Sequence, residues 1–187
     1  MHLKIKAFID FVKRECKRYG VKTDFRKVKY LRMSGNIKCS GYFDSENQKL
    51  VVALNHKDWL ETTIHEYGHF TQWLEGCSEW MENIEGIGKV DEWLSGKNIK
   101  DIKKYIGMAR DLELDNEKRA VKIIQDWGLD EFIDLEQYTQ KANAYIMFYN
   151  WLGKTRRWSK PNNSPYSNKR LISIMSTQFD MDYKNMD

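Results

Sequence analysis

Apolar residues recur at helical spacing over positions 3–19. Leu3, Ala7, Phe8, Phe11, Val12 and Tyr19 share one face, which predicts an amphipathic helix stopping at Gly20. The period then changes. RKVKYLRM (26–33) sets Val28, Tyr30 and Arg32 against Lys29, Leu31 and Met33, a strand-like alternation, and SGN (34–36) follows as a turn. IKCSGYFD (37–44) reads as a second strand, SENQ (45–48) as a second turn and KLVVAL (49–54) as a third strand. Short strands joined by polar turns predict an antiparallel meander.

A helix is expected to open at Asn55, with Asp58 as a short-armed capping box, and to run to about Glu75 before Gly76. From Cys77 to Lys104 the pattern is weak, and Gly86, Gly88 and Gly96 predict short helical pieces. A longer helix is expected from about Lys100 to Trp127, ahead of Gly128. Another, dense in aromatics, should span about Leu135 to Trp158. KPNNSPYSNK (160–169) holds both prolines and reads as a loop, and a last helix covers Leu171–Phe179. No internal repeat or low-complexity tract interrupts this order. The expected class is α+β, a small antiparallel three-stranded sheet packed on a mostly helical domain.

A length of 187 residues suits one domain, with a core over about 1–128 and an aromatic helical extension over about 129–187. Seven Trp, ten Tyr and eight Phe provide enough burial for a core without disulfides. The net charge of +4 is mild. It permits contact with nucleic acid without arguing for it. Cys16, Cys39 and Cys77 are odd in number and form no CxxC pair, which argues against a disulfide framework or a cysteine zinc knuckle and fits a reducing cytoplasm. The opening MHLKIKAFIDFVKREC carries charges through its apolar positions, unlike a signal peptide. No run approaches the ~18 apolar residues of a membrane span.

Chemistry concentrates in HEYGH, residues 65–69. One helical turn separates His65 from His69, so their imidazoles share a face and can converge on one ion, with Glu66 beside them. A zinc ion lowers the pKa of its water to near ~7, and a neighbouring carboxylate can take the proton, as in H-E-x-x-H metallopeptidases. The chain has only four histidines, which makes the pattern specific. The bland alternative is an exposed polar turn.

Two histidines leave a catalytic zinc one protein ligand short. His2 and His56 lie upstream, His56 more than two turns from His65, and Cys77 falls beyond the helix stop, so a downstream carboxylate remains. In YIGMARDLELDNEKRAVKIIQDW (105–127) the apolar stripe reads Ile106, Ala109, Glu113, Asn116, Glu117, Ala120 and Ile124. Asp111, Asp115, Lys118 and Lys122 form the opposite face. An inward carboxylate costs several kcal/mol unless it is paired or binds a metal. Glu113 and Glu117 therefore need either a metal or an arginine such as Arg110 or Arg119.

HEYGH followed by ELDNE resembles the gluzincin metallopeptidases, whose H-E-x-x-H is completed by a Glu on a second helix. The order of elements is similar to the compact minigluzincins. ImmA/IrrE-like peptidases are similar in their HExGH and later helix, where Glu113 and Ala120 keep their places and Glu117 replaces an Asn. YTQKANAYIMFYNWLGKTRRW (138–158) also resembles uncharacterised phage proteins grouped with metallopeptidases. The likeness covers about 41–158. It implies a zincin-like domain, a zinc cofactor, Glu113 as third ligand, Glu66 as catalytic base, and Glu117 as a carboxylate orienting a zinc-bound histidine. It further implies a protein or peptide substrate met in the cytoplasm, the host's if the chain is of phage origin.

In the enzymes it resembles, an edge strand before the motif helix pairs with extended substrate. Here that strand would be KLVVAL, unless it is an ordinary inner strand. An oxyanion donor is needed as well. Tyr138, Tyr145 and Tyr149 are the candidates, although such a stripe is also what a core looks like. Arg156, Arg157 and Trp158 form a basic–aromatic cluster suited either to nucleic acid or to the cationic end of a helix. The rivals to a peptidase are a catalytically silent binding module acting on a host or viral protein, and a nucleic-acid-binding protein. An intact Glu66 favours the enzyme.

Overall fold

The computed structural model describes residues 2–32, 38–158 and 164–184. Helices and a small sheet give the α+β class, and the chain gathers into two compact units, Met1–Glu75 with Lys122–Ile133, and Gly76–Val121 with Asp134–Asp187. No described helix is long and apolar enough to cross a membrane.

In the first unit, α1 (Leu3–Arg18) buries Phe8, Ile9, Val12 and Cys16, and Lys17 and Arg18 in its last turn suit the negative end of the helix dipole. Gly20 follows at φ 78°. Phe8 and Phe11 pack edge-on or tilted against Tyr67 and Trp127. Full burial of a side chain such as Phe8 is worth roughly 1.5–3 kcal/mol.

The strands differ from a meander. The first is β1 (Lys22–Arg26), ahead of the RKVKYLRM stretch. RKVKYLRM itself yields only β2 (Leu31–Arg32), paired antiparallel with β3 (Lys38–Cys39) in a separate two-stranded ribbon. The expected SGN turn lies outside the described residues. IKCSGYFD splits at Ser40 into β3 and β4 (Gly41–Asp44). The third strand, β5 (Lys49–Ala53), sits in the middle of a three-stranded sheet of order β1-β5-β4, parallel to β1 and antiparallel to β4. KLVVAL is therefore an inner strand and not the edge. Its Leu50, Val51, Val52 and Ala53 are all buried, the continuous apolar run of a strand covered on both faces.

Helix α2 (Trp59–Glu75) begins four residues later than Asn55. Residues 55–58 form a turn in which the Asp58 N–H donates to His56 Nδ1 at 3.2 Å, and the Asp58 carbonyl accepts the Thr62 N–H at 2.9 Å. The helix ends at Glu75, with Gly76 at φ 55°.

In the second unit, α3 (Ser78–Leu94) is one unbroken helix where short pieces are expected. Its Gly86 is a contact and not a break. A β-carbon there would stand 2.7 Å from the Tyr105 carbonyl oxygen and 2.8 Å from the Ala109 nitrogen, so α3 meets α4 (Ile102–Asp126) backbone to backbone. The last turn of α4 counts to the first unit. Val90, Trp93, Ile106, Ala109, Phe148 and Leu152 form the core between α3, α4 and α5 (Leu135–Thr155). Asp134 caps α5 by accepting the Gln137 N–H, and the helix stops at Arg156, at φ 51°, short of Trp158.

The first part of the KPNNSPYSNK loop lies outside the described residues, and Pro165–Ser167 make a 3-10 turn. The last helix is only α6 (Lys169–Ile172), not Leu171–Phe179. Side chains of α5 hold the chain beyond it. Asn143 donates to the Ser176 and Gln178 carbonyls and accepts from the Tyr183 hydroxyl, and Asn150 donates to the Tyr183 carbonyl. Those carbonyls are satisfied without a helix.

Candidate functional site

Helix α2 carries His65, Glu66 and His69. The two imidazoles lie side by side, with ring centroids 4.8 Å apart and planes at 90°. His69 is buried, and its Nδ1 lies 2.9 Å from Gln72 Oε1. An amide oxygen only accepts, so Nδ1 carries the proton and Nε2 keeps the lone pair a metal would use. Gln72 was not among the residues expected from sequence. Its signal was a polar side chain three residues beyond His69, which proves fully buried.

The Glu66 carboxylate is also buried. Strand β4 lies against it: a β-carbon on Gly41 would stand 2.5 Å from Thr62 Cγ2 and 3.1 Å from both Glu66 Cγ and the Val51 carbonyl oxygen. A glycine is needed for the strand to come this near the helix. One residue earlier, the Thr62 hydroxyl donates to Ser40 Oγ at 3.1 Å. Burial, with the charge of Glu66 second, pushes the Cys39 thiol up to about 11, so Cys39 stays protonated at neutral pH.

In the second unit the stripe along α4 is as expected. Glu113 and Glu117 are buried together with Asn116, and Lys118 and Lys122 are exposed. Each glutamate meets a tyrosine of α5. Tyr138 donates to Glu117 Oε2 at 2.6 Å, and the Tyr149 hydroxyl lies 3.5 Å from Glu113 Oε1, with the Tyr145 hydroxyl 3.3 Å behind it. Desolvation by burial, then the nearby Glu113 charge, hold both the Tyr145 and Tyr149 hydroxyls well above the ordinary phenol range. They remain donors at any physiological pH.

Arg110 donates to Asp111 and Asn150, and Arg119 to Asp115 at 2.7 Å. Donor atoms of Cys77, Glu79 and Asp115 lie within 4.8 Å of one another. There Glu79 accepts the Ser78 hydroxyl and Asp115 holds Arg119, so hydrogen bonds account for those acids.

Of the basic–aromatic cluster, Arg156 is a helix-end residue. Its guanidinium donates to the Trp93 carbonyl at 2.9 and 2.6 Å and to the Lys97 carbonyl at 2.8 Å, and lies 5.2 Å over the Trp93 ring.

No protein-family model, curated protein or solved structure matches the chain.

Proposed function

We propose that the chain is a zinc-dependent peptidase in which His65, His69 and Glu113 hold the ion and Glu66 is the general base. The observation that carries this reading lies within α2. Two imidazoles stand side by side, one with its outer nitrogen fixed by Gln72, and a buried carboxylate occupies the position next to the first. His65, His69 and Glu113 offer two imidazole nitrogens and one carboxylate oxygen, the donor types of a catalytic zinc with three protein ligands. A zinc held there supplies a Lewis acid that lowers the pKa of a coordinated water to near ~7.

The chain's own residues do the rest. Glu66 takes a proton from the attacking water onto a carboxylate oxygen and later gives it to the leaving amine nitrogen. Gln72 keeps His69 in one tautomer and orientation. Tyr149, beside Glu113, and Tyr145 behind it are the hydroxyls to test as donors to the tetrahedral oxygen, and Tyr138 already serves Glu117. Glu117 is assigned to orienting a metal-bound histidine. The substrate is a protein or peptide.

The test is metal content together with hydrolysis of a peptide library. The purified chain should hold about one zinc. Glu66→Gln should keep that zinc and lower hydrolysis by ~10²-fold or more. A chain in which His65→Ala/His69→Ala retains full zinc would sink the metal assignment. One that binds zinc but cleaves nothing would be a binding module instead.

A further inference from the structure

Charge is unevenly distributed along the chain. Residues 13–38 contain ten Lys and Arg and two acidic residues, a net +8 in a chain whose total is +4, so the remaining residues sum to −4. Part of this excess is answered locally. Arg14 and Arg18 approach Glu15, and Arg26 binds Asp24 at 2.7 Å.

The β2–β3 ribbon is different. Arg32 and Lys38 are direct cross-strand partners, and like charges facing each other weaken an antiparallel pair. The Lys29 and Lys38 ammonium groups both sit by the Tyr30 ring, 5.6 and 6.0 Å from its centroid. Lys29, Arg32 and Lys38 are exposed, and among the described residues their side chains make no hydrogen bond or ion pair. An ordinary solvated face intersperses acids, as α4 does with Lys122 and Asp126. Here two cations collect at one ring and a third faces one of them across the strands, at the expense of the ribbon's own stability.

We propose that the β2–β3 ribbon is a nucleic-acid-binding surface, on which Lys29, Arg32 and Lys38 take backbone phosphates without reading base sequence. A phosphate backbone offers a negative charge at each step, requires no apolar pocket and accepts from both ammonium and guanidinium groups. A membrane surface would call for apolar side chains beside the cations, and in 27–32 and 38–39 Val28 is the one large aliphatic residue described as exposed. The proposal is independent of the peptidase reading.

The experiment is fluorescence anisotropy of the full chain with a labelled duplex of about 20 base pairs, and with one of its strands, from about 50 to about 200 mM salt. Binding should be in the range of 10⁻⁶ to 10⁻⁴ M, with a log–log salt slope on the duplex of about −2.7 for three phosphates. Lys38→Glu should weaken binding at least ~10-fold and reduce the slope by about one or more. It also turns the pair with Arg32 into an attractive one, so its melting temperature should not fall. Lys29→Gln, outside the strand pair, should reduce the slope by about one with the melt unchanged. Lys103→Glu, on α4, should leave binding as it is. The proposal fails if no binding is seen at low salt, if Lys38→Glu and Lys29→Gln bind as the wild type does, or if Lys103→Glu loses as much as Lys38→Glu. It also fails if anionic lipid vesicles bind at salt concentrations where nucleic acid does not.

Discussion

Gly41 lies directly against Glu66: a β-carbon on the glycine would come within 3.1 Å of Glu66 Cγ and 2.5 Å of Thr62 Cγ2. Its φ is not in the left-handed region, so the constraint is space and not backbone strain. Gly41→Ala should therefore destabilise the first unit by about 1–3 kcal/mol through overpacking. It should also displace the Glu66 side chain. In the proposed peptidase, hydrolysis should fall more than zinc content, and urea unfolding beside a metal assay separates the two. Wild-type stability and rate in Gly41→Ala would show that the strand has room to move.

The choice of third ligand is open to a three-way comparison. Glu113 and Glu117 are buried on one face of α4, whereas Asp115 is turned towards Arg119. Glu113→Ala should remove most zinc affinity, Glu117→Ala should weaken it ~10–100-fold, and Asp115→Ala should do little. Competition with a chelator of known affinity gives the three values. Zinc lost with Asp115→Ala and retained with Glu113→Ala would reverse the assignment.

Helices α1 and α2 were legible because each combines a sustained apolar period with a glycine just past its end, Gly20 and Gly76. The inward stripe of α4, including its two glutamates, follows from the same periodicity. Strands were harder to read. In β1, Phe25 is the only large apolar side chain, and its pairing with β5 is a long-range parallel contact that no local alternation encodes. That contact is also what moves β5 from edge to centre. Gly86 misleads for a related reason: it looks like a helix breaker, and the close approach of α4 that requires it is invisible in one dimension. HEYGH was legible because its spacing is that of a single helix turn. Gln72, and the tyrosines that meet Glu113 and Glu117, depend on which faces are buried and on how α5 lies against α4.

Thiol chemistry gives an independent check on both units. Burial pushes Cys16 up to about 12, with Glu15 adding to it, and Cys39 up to about 11, with Glu66 adding to it. Only the thiolate reacts, so at pH 8 a native chain should label at Cys77 and only slowly at the other two. Intact mass after timed alkylation counts the modified sites. A raised folded-state thiol pKa adds stability that is fully present below the unfolded value near 9 and is lost as pH climbs towards 11–12. Unfolding midpoints should accordingly drop above about pH 9. Because Glu66 is one cause of the Cys39 shift, Glu66→Gln should speed labelling of Cys39 and leave Cys16 unchanged. Rapid labelling of all three thiols in the native chain would contradict the burial.

Arg156 ends α5 and also closes α3. It adopts φ 51°, and its guanidinium satisfies the Trp93 carbonyl in the last turn of α3 and the Lys97 carbonyl just beyond that helix, while lying over the Trp93 ring. A cation is favoured there by the helix dipole, and the guanidinium adds to the terminal nitrogen's two bonds a second donor, Nε, on the Trp93 carbonyl and a planar face on the Trp93 ring, neither of which an ammonium group has. Arg156→Ala should cost about 1–2 kcal/mol, since the hydrogen bonds are only partly shielded from water. For a chain of this size that lowers the melting temperature by roughly 2–8 °C. Arg156→Lys should recover little of the loss, because it keeps the charge and forfeits the second donor and the planar face. Arg157→Ala, next in sequence and exposed, should be nearly silent. Thermal melts of the three variants decide the matter: equal effects at 156 and 157 would mean that the cluster acts through its charge alone, and full rescue by lysine would mean that the second donor and the planar face do not matter.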